Sequence, residues 1–258
     1  MLDKHRFLDE LNRQLPLENH TIDLQQGNIG LVLVDPVVGF TTRGYLADPT
    51  SMQPMVRTID ALCRAWLDLL DQRLQILVFR DHHAPDQMEP PYPPHCQEGS
   101  GEEALDPLLT WLESHQQVTL IDKDCINGVI GALVPALPQS PSADHPPQGP
   151  SLYRSVFFEW LAEHAIDQLV VCGDCTDICV LDFVTTALSA RNHGLFGQAH
   201  MHMPINVFAP ACATYHLPDP QALSLPPTAR HDRDITHHVA LSFMQARGAH
   251  IATTWRHA

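Results

Sequence analysis

The feature that most restricts this chain is a set of apolar runs with no polar alternation. Residues 30–35 (GLVLVD), 75–80 (QILVFR) and 167–173 (DQLVVCG) are the clearest. A strand with one face in water alternates polar and apolar residues. A run that does not alternate suits a strand covered on both faces, as in a parallel sheet sandwiched between helices. Residues 118–121 form a shorter run, and 205–208 and 250–254 weaker ones, which gives six candidate strands. Between the first two, Met55, Ile59, Leu62, Trp66 and Leu69 recur at three- and four-residue spacing, which predicts a one-sided helix over 55–73. Residues 153–164, 176–193 (closed by Gly194) and 237–247 (closed by Gly248) also read as helices. The repeated β-α-β order predicts an α/β fold: a three-layer α/β/α sandwich with a central, mainly parallel six-stranded sheet and right-handed crossovers.

The 258 residues are enough for one such domain, and nothing divides them into two cores. We expect a single domain over 1–258, with an N-terminal helical extension over about 1–27. The stretch 135–150 (PALPQSPSADHPPQGP) reads as a proline-rich surface insertion. No run approaches the roughly 18 apolar residues of a membrane span, so no membrane partner is expected. The excess of 30 acidic over 15 basic residues opposes nucleic-acid binding. Seven cysteines, scattered behind an N-terminus too charged for a signal peptide, read as reduced thiols of a cytoplasmic protein.

In an open parallel sheet, ligands bind beyond the carboxyl ends of the strands. Asp35 and Asp81 follow two of the runs directly, and the turn 173–179 (GDCTDIC) follows another. In that turn Gly173 permits a sharp bend, Thr176 or Asp177 is placed to cap the next helix, and Cys179 falls in its first turn. Free backbone N–H groups there favour a thiolate and can hold an oxyanion. A free cysteine is more often a small buried hydrophobe, and Cys172, Cys175 and Cys179 also have a spacing that zinc can use. Asp35 reads as a general acid/base facing Cys179 or as a turn cap. Lys123 reads as a solvated loop residue or as the cation that lowers a thiol pKa and keeps a carboxylate charged. Residues 81–96 crowd Asp81, His83, Glu89 and His95 behind a strand. They read as a polar loop stiffened by proline, or as a shell of mixed N and O donors for one Zn, Mn or Fe ion.

In combination these residues resemble the isochorismatase-like cysteine hydrolases, and among them the plant-type nicotinamidases. CGDCTDICV is similar to the family's G-x-x-T-D-x-C-V nucleophile turn, and DHH…YPPHC to the nicotinamidase D-x-H…W-P-P-H-C metal loop. KDCING and ALSARNHG extend a likeness that runs from about residue 28 to 250. The resemblance implies an Asp–Lys–Cys triad of Asp35, Lys123 and Cys179. It also implies an oxyanion hole from the backbone N–H groups of Cys175 and Cys179, and a cis peptide at Asp174–Cys175. Phe40 and Tyr92 would sandwich a pyridine ring. One divalent metal, zinc before manganese or iron, would sit on Asp81, His83, Glu89 and His95. Glu89 stands where many bacterial members use a histidine, with Gln87 and Met88 beside it. Asp174 replaces a usual small or apolar residue and sets an extra carboxylate beside the nucleophile. The implied activity is hydrolysis of nicotinamide, or a related pyridine carboxamide, to the acid and ammonia through a Cys179 thioester, in a homo-oligomer. An amidase for ureido or carbamoyl compounds and a non-catalytic metal-binding scaffold are the other readings of the same residues.

Overall fold

Along the first apolar run, consecutive side chains enter two different cores. Val32 and Val34 join a cluster with Phe157, Trp160, Phe183, Leu188, Leu241 and Met244. Leu31 and Leu33 join one with Met55, Ile59, Leu62 and Trp66. The neighbouring strands divide the same way, with Leu77 and Phe79 on the first side and Ile76 and Val78 on the second. Successive strand residues point to opposite faces, so a run buried on both faces has no position left for a polar residue. At roughly 1.5–3 kcal/mol for each large side chain buried, these two cores supply the main drive to fold.

The computed structural model describes residues 4–136, 153–197, 200–223 and 226–257. Most of the expected insertion at 135–150 lies outside the described residues. In chain order the elements are α1 (Lys4–Gln14), β1 (His20–Asp23), β2 (Asn28–Val34), α2 (Val38–Thr41), α3 (Pro49–Leu70), β3 (Leu74–Asp81), β4 (Val118–Lys123), α4 (Gly128–Gly131), β5 (Leu133–Pro135), β6 (Tyr153–Ser155), α5 (Val156–Glu163), β7 (Ile166–Gly173), α6 (Leu181–Asn192), β8 (Ile205–Cys212), α7 (Arg233–Ala246) and β9 (His250–Arg256). The main sheet runs β1-β9-β8-β7-β2-β3-β4, with every pairing parallel. Helix α3 covers one face, and α5, α6 and α7 cover the other. No described helix is long and apolar enough to cross a membrane.

The sheet has seven strands rather than six. The extra one, β1, comes from the N-terminal stretch expected to be helical throughout and pairs with β9 at the sheet edge. The helix expected at 55–73 starts earlier, because Asp48 accepts the Ser51 N–H and Pro49 opens the helix. Its inner face includes Leu70, while Leu69 is exposed. Residues 153–155 pair with Leu133–Pro135 as a small antiparallel ribbon, so α5 begins only at Val156.

The sheet order places the site. From β2 the chain steps outward through β3 and β4, whereas β7 returns on the other side of β2 and continues to β8 and β9. The carboxyl ends of β2 and β7 thus flank the reversal in strand order, where open α/β sheets form their crevice. At that point Val34 pairs with Gly173, and the Asp174 N–H donates to Val34 O at 3.0 Å. Gly173 has φ +122°, and a Cβ there would lie 2.0 Å from Val34 O. Only glycine allows this approach. Gly173→Ala is expected to lose at least about 3 kcal/mol of stability, measured by urea unfolding.

Candidate active site

Four parallel strands end side by side, and each delivers one polar group. Asp35 follows β2 with φ +53°, and Asp81 and Lys123 are the last residues of β3 and β4, paired in register. The turn behind β7 brings Cys179. Lys123 Nζ is fully buried, 2.9 Å from Asp35 Oδ2 and 2.9 Å from Asp81 Oδ1, and it donates to Cys125 O at 3.0 Å. The Asp81 contact is an aligned hydrogen bond. The Asp35 contact is an ion pair off that direction, and neither Asp35 oxygen accepts an aligned hydrogen bond among the described residues. The Cys179 thiol is close enough to favour the charged form of Asp35.

The second oxygen of Asp81 faces the loop behind β3. His83 Nε2 and His95 Nε2 each lie 3.1 Å from Asp81 Oδ2, and lie 3.9 and 3.7 Å from Glu89 Oε2. One donor atom from each of Asp81, His83, Glu89 and His95 falls within 4.8 Å of the others. His95 Nδ1 is 2.7 Å from Pro93 O, which aims Nε2 into the group. Glu89 Oε1 accepts the Ile126 N–H at 2.7 Å, leaving Oε2 for the cluster. Two imidazoles and two carboxylates, nearly enclosed, fit a divalent metal. Gln87 instead bonds to Asp124, and Met88 is exposed. Cys172, Cys175 and Cys179 gather no donor group of their own among the described residues. Phe40, in α2, and Tyr92 both pack against His95, at ring centroid distances of 5.7 and 6.2 Å.

The nucleophile turn departs from the helix expected at 176. Ile178 and Val180 both donate to Cys175 O, at 3.0 and 3.1 Å, so residues 176–180 form a wide turn of the i→i+5 kind, and regular helix begins at Leu181. The Asp174–Cys175 peptide is cis. Thr176 and Asp177 do not cap the helix. Thr176 Oγ1 pairs with His237 Nδ1 at 2.9 Å, and Asp177 with Thr214 Oγ1 and His231 Nε2 at 2.6 and 2.7 Å.

The electrostatics correct one expectation. Burial raises the Cys179 pKa, and the nearby Asp35 and Asp81 add to this, so together they outweigh Lys123. The resting sulfur is a thiol, not the thiolate anticipated from the turn alone. Burial also raises Asp35, to about 7, against the pull of Lys123. Burial opposes charge on Asp81 too, but Lys123, His83 and His95 hold it well below the usual carboxylate range. Lys123 stays charged despite burial, because the carboxylates of Asp35 and Asp81 lie against it. The site therefore rests with a proton on sulfur and a base of near-neutral strength beside it. Asp174 is fully buried, neither oxygen has a partner among the described residues, and desolvation with Asp35 nearby pushes its pKa far up. Burial thus disfavours an additional negative charge beside the nucleophile.

The sequence reading missed Thr214, Tyr215 and His231. They lie in the stretch between β8 and α7, rich in proline and histidine, where no hydrophobic period marks a structural role. A histidine and a tyrosine in an otherwise turn-forming loop were the only signal.

Residues 30–254 match the family description Isochorismatase domain. The chain is 36% identical over 257 residues to Nicotinamidase 1 of Arabidopsis thaliana, covering 98% of each chain. In structure it is similar to a pyrazinamidase/nicotinamidase of Streptococcus mutans, with TM-score 0.58 and 21% identity, covering 87% of this chain and 99% of that one. It is also similar to a pyrazinamidase of Pyrococcus horikoshii in complex with zinc, with TM-score 0.55 and 17% identity, covering 87% and 98%.

The raised Asp35 pKa has a kinetic consequence. Asp35 can take the Cys179 proton only when ionised, so reactivity falls as pH drops through the pKa. In metal-free protein, the iodoacetamide alkylation rate of Cys179 is expected to decline below about pH 7. Asp35→Asn removes that limb and slows alkylation by at least about 100-fold. Mass-spectrometric rates across pH check both.

Proposed function

The chain belongs to the isochorismatase family, and we propose that it is a nicotinamidase, hydrolysing nicotinamide to nicotinate and ammonia. One observation carries the reading: a single buried ammonium touches two carboxylates, one beside a cysteine thiol and the other within a set of four metal donors. The full-length likeness to Nicotinamidase 1 supports the substrate.

In the proposed reaction Asp35 accepts the Cys179 proton as sulfur attacks the carboxamide carbon. The backbone N–H groups of Cys175 and Cys179 hold the oxyanion, an interaction worth roughly 3–4 kcal/mol for each well-placed donor. Asp35 then gives its proton to the departing nitrogen, and ammonia leaves a thioester. Asp35 next takes a proton from water, and the resulting hydroxide attacks the thioester carbon. The C–S bond breaks, nicotinate is released, and the sulfur recovers its proton from Asp35. Lys123 keeps Asp35 in place and compensates its charge between these transfers. Phe40 and Tyr92 flank the planar ring. Asp81, His83, Glu89 and His95 would hold a divalent ion, zinc by preference and manganese or iron otherwise, which when bound offers the pyridine nitrogen a Lewis-acid partner and so orients the ring. A cytoplasmic, homo-oligomeric protein of one domain over 1–258 belongs to the same proposal.

The test is ammonia release from nicotinamide, with metal analysis of the purified protein. Cys179→Ala is expected to abolish turnover while retaining metal, and Glu89→Ala to weaken metal binding by at least about 10-fold. Bound metal with no Cys179-dependent ammonia would favour a non-catalytic scaffold. Release that survives metal stripping would point to an amidase of another substrate class.

A further inference from the structure

The nucleophile turn is also held from a side that this reaction does not use. Residues 213–215 run directly along it: Ala213 N–H donates to Gly173 O at 3.1 Å, and Thr176 N–H to Ala213 O at 2.8 Å. Asp177, inside the turn, accepts from Thr214 Oγ1 at 2.6 Å and lies 2.7 Å from His231 Nε2. The other ring nitrogen of His231 is 2.7 Å from Tyr215 O. The Tyr215 ring stacks on the His231 ring, with centroids 3.8 Å apart and planes 14° from parallel. Leu217 and His231 exchange backbone hydrogen bonds at 2.8 and 2.9 Å, closing the loop into a short ladder. The next residue, His216, donates its N–H to Asp48 at the start of α3, at 2.9 Å. Tyr215 is therefore fixed through its carbonyl, its ring and the backbone on either side.

Tyr215 follows directly on the two residues that bond to the nucleophile turn, Ala213 and Thr214. Tyr215 is half-buried and lies within electrostatic reach of Cys175, Tyr92 and Asp177. Tyr92 in turn lies within reach of Cys175 and Cys179. An aromatic ring has two faces, and His231 covers one of them. A flat ligand ring can stack on an aromatic face.

Building on the nicotinamidase reading, we propose that Tyr215 is a specificity-determining wall of the ring pocket, and that Asp177 and His231 are positioning residues that hold its plane. A wall fixed in this way admits a thin aromatic amide and excludes one carrying an additional ring substituent. Its effect falls on binding and selection, because it touches neither the sulfur nor the base.

The experiment measures steady-state kinetics of the zinc-loaded, full-length protein with nicotinamide and with 5-methylnicotinamide. Tyr215→Ala is expected to raise KM for nicotinamide about 10-fold while kcat changes less than about threefold. The kcat/KM ratio should shift about 10-fold toward the methylated substrate. Tyr215→Phe, which keeps the ring, should restore both values. His231→Ala should move KM in the same direction and add little to Tyr215→Ala in the double variant, as coupled neighbours do. If Tyr215→Ala fails to fold, Tyr215→Leu, which keeps apolar bulk without a flat ring, is read in its place. Unchanged KM and selectivity in a folded, zinc-loaded variant would overturn the inference alone. Absence of ammonia release from the unsubstituted protein would overturn the nicotinamidase reading and this inference with it.

Discussion

The buried ammonium of Lys123 is the contact on which the rest of the site depends. Removing an amine from water costs several kcal/mol unless opposite charge surrounds it. Here Asp35 and Asp81 each lie 2.9 Å away, and Cys125 O supplies a further acceptor. The lysine opposes the burial that disfavours charge on both carboxylates, with the Cys179 thiol at Asp35 and with His83 and His95 at Asp81. Asp81 divides its two oxygens, one on Lys123 and one facing His83 and His95. Lys123 thus joins the proton-transfer group to the donor cluster, and losing it would leave Asp35 buried without a compensating cation.

The parallel sheet makes this grouping possible. Asp35, Asp81 and Lys123 are far apart in sequence, but adjacent parallel strands end at the same level. The register pairs Asp81 directly with Lys123, and Val34, just before Asp35, with Gly173. The turn that delivers Cys179 then needs only a close backbone approach at Gly173 to reach the same crevice. The chemistry follows from strand order more than from any single loop.

Much of this was legible in the sequence, for identifiable reasons. Strands β2, β3 and β7 stood out because burial on both faces removes polar residues from a run. Strand β1 did not, because HTID is short, mostly polar and at the sheet edge, where one flank needs no cover. The candidate site residues could be named because their ordered combination resembles a family pattern, although Asp35 and Lys123 were weak signals taken singly. The thiol state of Cys179 could not be read, since it depends on how deeply the sulfur is buried and how near two carboxylates from other strands come. Thr176 and Asp177 were misread as caps for a related reason: their partners, His237, Thr214 and His231, lie far along the chain in segments without periodicity.

The two oxygens of Glu89 carry a consequence for how this loop can vary. One accepts the Ile126 amide and the other faces the donor cluster. A neutral imidazole bound to an ion through one nitrogen keeps a proton on the other. At position 89 that proton would meet the Ile126 N–H head-on, donor against donor. A carboxylate can answer both neighbours at once, so exchanging Glu89 for histidine would require the chain after β4 to be rebuilt to offer a carbonyl in place of an amide.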